Sequence, residues 1–183
     1  MTGFGFASYA TASAVYALLA ILLCTSWRGR VQGGLLLLAV VISMLWALLA
    51  ALSSGYELLS LKHLLAIEVL RNAAWTAFLW ALLSYTRTEQ KPLLLHFFVV
   101  AYLALCALTL TAEMVPAVAE LLNHLFSFDF RIFSHVLQAI VGLFLVEQVF
   151  RRTQLESRWA VKFLCVGLGG LFVYDFVLFT EAM

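Results

Sequence analysis

The chain has 183 residues, of which 64% are hydrophobic and only 11% charged, with a formal net charge of +1 and a mean hydropathy of +1.02. Soluble domains hold about 45–50% apolar and about 25% charged residues, so this composition excludes an ordinary soluble domain. It leaves no basic surface for nucleic acid beyond the loops. At about 20 residues per span, the length accommodates six membrane helices with short loops.

Span one is predicted over Phe4–Trp27. Gly3, Ala7, Ala10, Ala14 and Ala17 recur there at spacings of three and four, a small-residue stripe suited to close helix packing. Tyr9, Thr11, Ser13 and Tyr16 make its first half mildly polar. The segment before Arg28 has no Lys or Arg, so the positive region of a signal peptide is missing. Arg28–Gly34 reads as a tight turn, and span two follows over Gly34–Ser54, with Ser43, Met44 and Trp46 near its middle. A short segment, Gly55–His63, leads to span three.

Span three, Leu64–Thr86, carries Glu68, Arg71, Asn72 and Trp75 at i, i+3, i+4 and i+7, which is one helical face. Two readings stand: a local Glu68–Arg71 pair near the interface, or the polar wall of a cavity. Arg87–Lys91 is a polar turn, and Pro92 opens span four, Pro92–Thr111, with His96 near its start. The long connection Ala112–Asp129 contains a short amphipathic helix, Pro116–Phe126, expected to lie along the interface. Here Glu113, Glu120, Asn123 and His124 alternate with apolar residues. Span five is predicted over Arg131–Phe150, with Ser134, His135 and Gln138 early and an i, i+4 pair, Glu147 and Arg151, late. Span six covers 159–180. In it Gly167, Gly169 and Gly170 leave room for a neighbouring helix, expected to be span one, and Tyr174-Asp175 places an ionisable group in an apolar zone. The predicted fold is therefore an all-α integral membrane domain over 1–183: six transmembrane helices plus one interfacial helix.

Positive charge concentrates in alternate loops: Arg28 and Arg30, then Arg87 and Lys91, then Arg151, Arg152, Arg158 and Lys162. The positive-inside rule makes these cytoplasmic and the N-terminus external. Glu68, Arg71, Asn72, His135, Gln138, Tyr174 and Asp175 then share a layer about 6–12 Å below the outer surface. Asp175, Arg71, His135 and Glu68 are expected to converge on one outward-facing cavity. An acid at that depth needs a partner.

Catalytic motifs are missing: there is no HExxH, GxSxG or P-loop, and Gly167-Leu168-Gly169-Gly170 lies in an apolar helix rather than at a phosphate. Cys24, Cys106 and Cys165 lack metal or disulfide spacing and read as core residues. His63, Glu68, His124, Asp129 and His135 fit no standard metal site. His124 reads instead as an exposed partner of Glu120.

Arg158-Trp159-Ala160-Val161-Lys162-Phe163-Leu164-Cys165-Val166-Gly167-Leu168-Gly169-Gly170-Leu171-Phe172-Val173-Tyr174-Asp175, with the preceding Val146–Thr153, resembles the end of the membrane-sensor region of PrsK-type histidine kinases, which accompany the exosortase/PEP-CTERM system of Gram-negative bacteria. The close resemblance covers 146–183, and spans one to four match in hydropathy and layout. It implies a bacterial inner-membrane signal-input domain with a periplasmic N-terminus. It also implies a homodimer formed through a parent kinase, and a response regulator reached through a kinase module not in these residues. ATP and Mg would belong to that module, and this chain would need no cofactor. With the C-terminus external, further spans would be needed to reach the kinase. The alternatives are a small transporter or lipid-handling permease using the outer polar layer, and a purely structural membrane subunit.

Overall fold

The computed structural model describes residues 2–26, 29–56, 60–85, 93–153 and 158–183. Trp27, Arg28, Glu57, the turn Arg87–Lys91, Pro92 and the segment 154–157 lie outside them, as do the side-chain surroundings of Gly3, His96, Arg158 and Trp159. All described regular structure is helical: α1 (Thr2–Ser26), α2 (Val31–Tyr56), α3 (Leu61–Tyr85), α4 (Leu93–Met114), α5 (Pro116–Phe126), α6 (Phe130–Arg152) and α7 (Arg158–Glu181). Five of these are long and apolar enough to cross a membrane, or six if the bent α4–α5 pair counts as one span. The chain is a multi-pass membrane protein. In such a chain helices are the economical solution, because each backbone group finds its partner within the segment.

Most helices overrun the predicted spans by one to three residues. The first turn is shorter than expected: Gly33 and Gly34 already belong to α2, and the reversal is carried by Gly29, whose φ of +75° suits a residue without a Cβ. Between α4 and α5 the axis turns by 119°. Pro116 has no N–H and disfavours helical backbone at the residue before it, and Val115 is accordingly extended at φ −119°, ψ 101°.

Contacts divide the chain into two compact units, Met1–Phe78 and Leu79–Met183. In the first, α1 runs antiparallel to α2. Tyr9 meets Trp46 edge to face at 5.8 Å, and Ser13 Oγ donates to the Met44 carbonyl at 3.3 Å. The packing face of α1 is thus set by Tyr9 and Ser13. The alanine stripe lies elsewhere: Ala7 and Ala14 are exposed, and Ala10 and Ala17 only half-buried.

In the second unit α6 and α7 form an antiparallel pair. Cys165, Leu168, Phe172, Asp175 and Phe179 are the buried residues of α7. They recur every three or four positions, one seam of the helix. Gly167 and Gly170 lie off that seam. Both are exposed, and a Cβ built on either meets nothing within 4 Å. Within the second unit no helix approaches closely at these glycines. The close approach occurs instead at Gly142 of α6, where the fully buried Phe172 ring occupies the space a side chain would take. Gly167→Leu and Gly170→Leu should therefore change stability by no more than about 0.5 kcal/mol. Unfolding of the purified variants in mixed micelles tests this, and a loss several times larger would restore a packing role.

Candidate functional site

The polar residues of α3 form a buried cluster within the first unit. Glu68 is 5% exposed, Arg71 2% and Asn72 not at all. Arg71 Nη2 lies 3.5 Å from Glu68 Oε1, and Arg71 Nε and Nη2 each lie 3.4 Å from Asn72 Oδ1. The guanidinium sits 4.2 Å above the Trp46 ring of α2, where the negative face of the indole stabilises a desolvated cation. One turn on, Trp75 Nε1 donates to Ser43 Oγ at 2.9 Å, and Ser43 in turn donates to the Ala39 carbonyl at 2.8 Å. The four-residue face legible in the sequence is therefore both a local ion pair and a buried wall, completed by Ser43 and Trp46 of α2. Burial of such groups is costly without partners, and the Glu68–Arg71 pair has them, whereas Asn72 Nδ2 is buried without a hydrogen-bond partner among the described residues.

The second unit holds its own polar layer, between α4, α6 and α7. Gln138 Nε2 donates to Thr109 Oγ1 at 3.2 Å, and Thr109 donates to the Leu105 carbonyl at 2.8 Å. One turn along, His135 Nε2 stands 3.6 Å from Glu113 Oε1, both side chains 1% exposed. The His135 ring stacks on Phe179 of α7 at 4.2 Å and 10°. Asp175, one turn from Phe179 on the same seam, is 1% exposed. Neither ring nitrogen of His135, neither oxygen of Glu113 and not the Gln138 Oε1 has a hydrogen-bond partner among the described residues. The imidazole and the carboxylate face each other as an ion pair when the ring is protonated.

The residues expected to share one cavity are divided between the two units: Glu68, Arg71 and Asn72 in the first, His135, Gln138, Tyr174 and Asp175 in the second. Six of these seven are buried. Tyr174 is 53% exposed and points away from the seam that buries Asp175, so it does not line the polar layer. Glu113 and Thr109 were missed as site residues. The sequence assigned Glu113 to a polar connection, yet α4 runs on to Met114. Leu105, Thr109 and Glu113 recur at i, i+4 and i+8, the periodic signal that would have found the acid.

Glu147 and Arg151 pair at 3.3 Å on an exposed face, where such a pair contributes little. Glu120 and His124 are exposed, and no pair between them forms among the described residues. Cys106 and Cys165 are buried as expected, but Cys24 is exposed. No group of three His, Cys, Asp or Glu side chains that could hold a metal occurs among the described residues. Comparison with family models, with curated proteins and with solved structures finds no match to this chain.

Proposed function

We propose that this chain is the membrane-embedded signal-input region of a sensor histidine kinase, passing an envelope or membrane signal to a cytoplasmic kinase module outside these residues. The observation that carries the reading is the set of buried ionisable groups on α4, α6 and α7: Glu113, His135 and Asp175. Ionisable groups at membrane depth mark function by default, because burial costs several kcal/mol unless something is gained. Asp175 lies within residues 146–183, the stretch that resembles PrsK-type sensors. In this reading the chain lies in a bacterial inner membrane with six spans, a periplasmic N-terminus and α5 along the outer interface. The parent kinase would be a homodimer acting on a response regulator.

A second reading is favoured by one observation. The Glu113–His135 pair is the kind of acid–imidazole contact that serves proton-coupled permeases. Asp175→Asn separates the two. In a sensor, expressed with its native downstream sequence, it should shift the phosphorylation set point while leaving the protein inserted. In a permease it should abolish uptake and leave phosphorylation untouched. If neither changes, both readings fail. The orientation has its own check: a cysteine placed at Gly29 should react with an impermeant maleimide only after cells are permeabilised. Reaction in intact cells reverses the topology.

A further inference from the structure

The buried polar layer of the second unit has an uneven charge inventory. Among its described buried residues Glu113 and Asp175 are acids, and His135 is the one group that can carry positive charge. The other charged groups around the layer are at least partly exposed. Arg131, one turn before His135, lies 3.6 Å from Asp129 with its side chain 43% exposed. Glu120 and His124 of α5 and Glu181 of α7 are exposed. His135 Nε2 and Glu113 Oε1 are 3.6 Å apart, each side chain 1% exposed. Neither ring nitrogen and neither carboxylate oxygen has a hydrogen-bond partner among the described residues. A carboxylate beside a neutral imidazole leaves a buried charge, which is costly. One proton removes that charge, either as imidazolium against carboxylate or as a carboxyl donating to the ring. It then belongs to the pair and not to one residue. A hydrogen bond of that kind is about 2.7–2.9 Å long, so the two side chains close by about 0.8 Å when it forms.

Closure of this pair acts on helix packing. Glu113 is the second-last residue of α4, two residues before the extended Val115. His135 is held from its other side by Phe179 of α7, stacked at 4.2 Å and 10°. The helices α4 and α5 rest on α6 at a small apolar patch of Ala112, Ala119, Leu122 and Phe130. Hydrogen bonds tie both ends of that patch. Thr109 of α4 accepts from Gln138 at 3.2 Å, and Asn123 of α5 accepts from the Phe130 N–H at 2.8 Å. Between these ties stands Glu113–His135. Among the described contacts of α4 and α5 with α6, it is the one whose strength depends on a titratable charge.

We propose that Glu113 and His135 bind one proton between them, and that the bound proton latches the end of α4 onto α6. Loss of the proton at higher pH releases the α4 end, while the Thr109 and Asn123 bonds keep it tethered. The proton is then the signal of the sensor, or the coupling ion of the permease. In that role it rests on the function proposed above. The latch itself is measured without phosphorylation or uptake, so the latch and the function can fail separately.

The whole chain is placed in lipid nanodiscs, with the exposed Cys24 replaced by serine. Spin labels go on Leu108→Cys and Ile140→Cys, exposed positions of α4 and α6. Pulsed dipolar distances are recorded across the pH range in which the chain stays folded. Nitrogen NMR of histidine-labelled protein covers the same range, and His135→Asn identifies the ring signals. On acidification the His135 nitrogens should shift as the pair gains its proton. Over the same interval the α4–α6 distance distribution should narrow. Glu113→Gln should lose both changes. Glu120→Gln and His124→Gln, at exposed positions of the neighbouring helix, should keep both. His135 nitrogens that do not shift at any of these pH values overturn the proposal, and so does a shift with no change in distance. Both results come from a chain with the pair intact, so the question is decided even if Glu113→Gln fails to fold. A folded Glu113→Gln that keeps the pH-dependent distance overturns it too.

Discussion

Gly142→Ala is expected to destabilise the protein by about 1–3 kcal/mol, the usual cost of forcing one extra carbon into a filled site. A Cβ at Gly142 would meet Cε1, Cδ1 and Cζ of Phe172 closer than real Cβ atoms approach a neighbour, and Phe172 is fully buried. The ring cannot swing aside into open space, so either its rotamer or the α6–α7 separation must give. The reason for a glycine here is the close approach, since membrane helices associate through packing rather than through hydrophobic transfer. A companion substitution locates the strain. Phe172→Leu removes ring atoms, and the double variant should be less destabilised than the sum of the singles by on the order of 1 kcal/mol. Reversible unfolding in mixed micelles measures all four corners of that cycle. Unchanged stability of Gly142→Ala, or strict additivity, would show that the α6–α7 pair has slack where none is drawn.

Arg71→Met is expected to cost about 3–5 kcal/mol, the range for stripping one partner from a buried ion pair. The guanidinium is 2% exposed. It is held between Glu68 at 3.5 Å and the Trp46 face at 4.2 Å, and its removal leaves Glu68, 5% exposed, without that charge. Arg71→Lys should lose less than Arg71→Met but should not match the wild type. A lysine keeps the charge, whereas the planar fork that reaches Glu68 and Asn72 while lying flat on Trp46 is lost. The same unfolding assay decides. A loss below about 1 kcal/mol for Arg71→Met would mean that the α3 cluster contributes no more than a surface pair does.

The one-dimensional pattern was sufficient for the membrane class and for every helix. Leu-rich runs of 20 or more residues between short polar loops have no other economical structure, because backbone groups must be satisfied within the segment. The α4–α5 break was equally legible, since Pro116 acts on its own neighbours in the chain. The polar face of α3 was legible because i, i+3, i+4 and i+7 is a property of one helix, and all four residues are buried. What the sequence could not settle was which face each apolar helix turns to its neighbour. In a chain 64% hydrophobic, apolar residues surround every helix, and periodicity loses its power to point inward. The stripe of α1 and the glycines of α7 looked like packing surfaces, yet Ala7, Ala14, Gly167 and Gly170 are exposed. The tight contact fell on Gly142, a lone glycine of α6 three residues after the buried Ala139. Glu113 shows the same limit for chemistry. On paper it was a loop acid; only the antiparallel alignment of α4 with α6 set it 3.6 Å from His135 at 1% exposure. Composition and local rules determined the helices, and the choice of facing residues, made by packing between helices, decided which of their polar groups became a site.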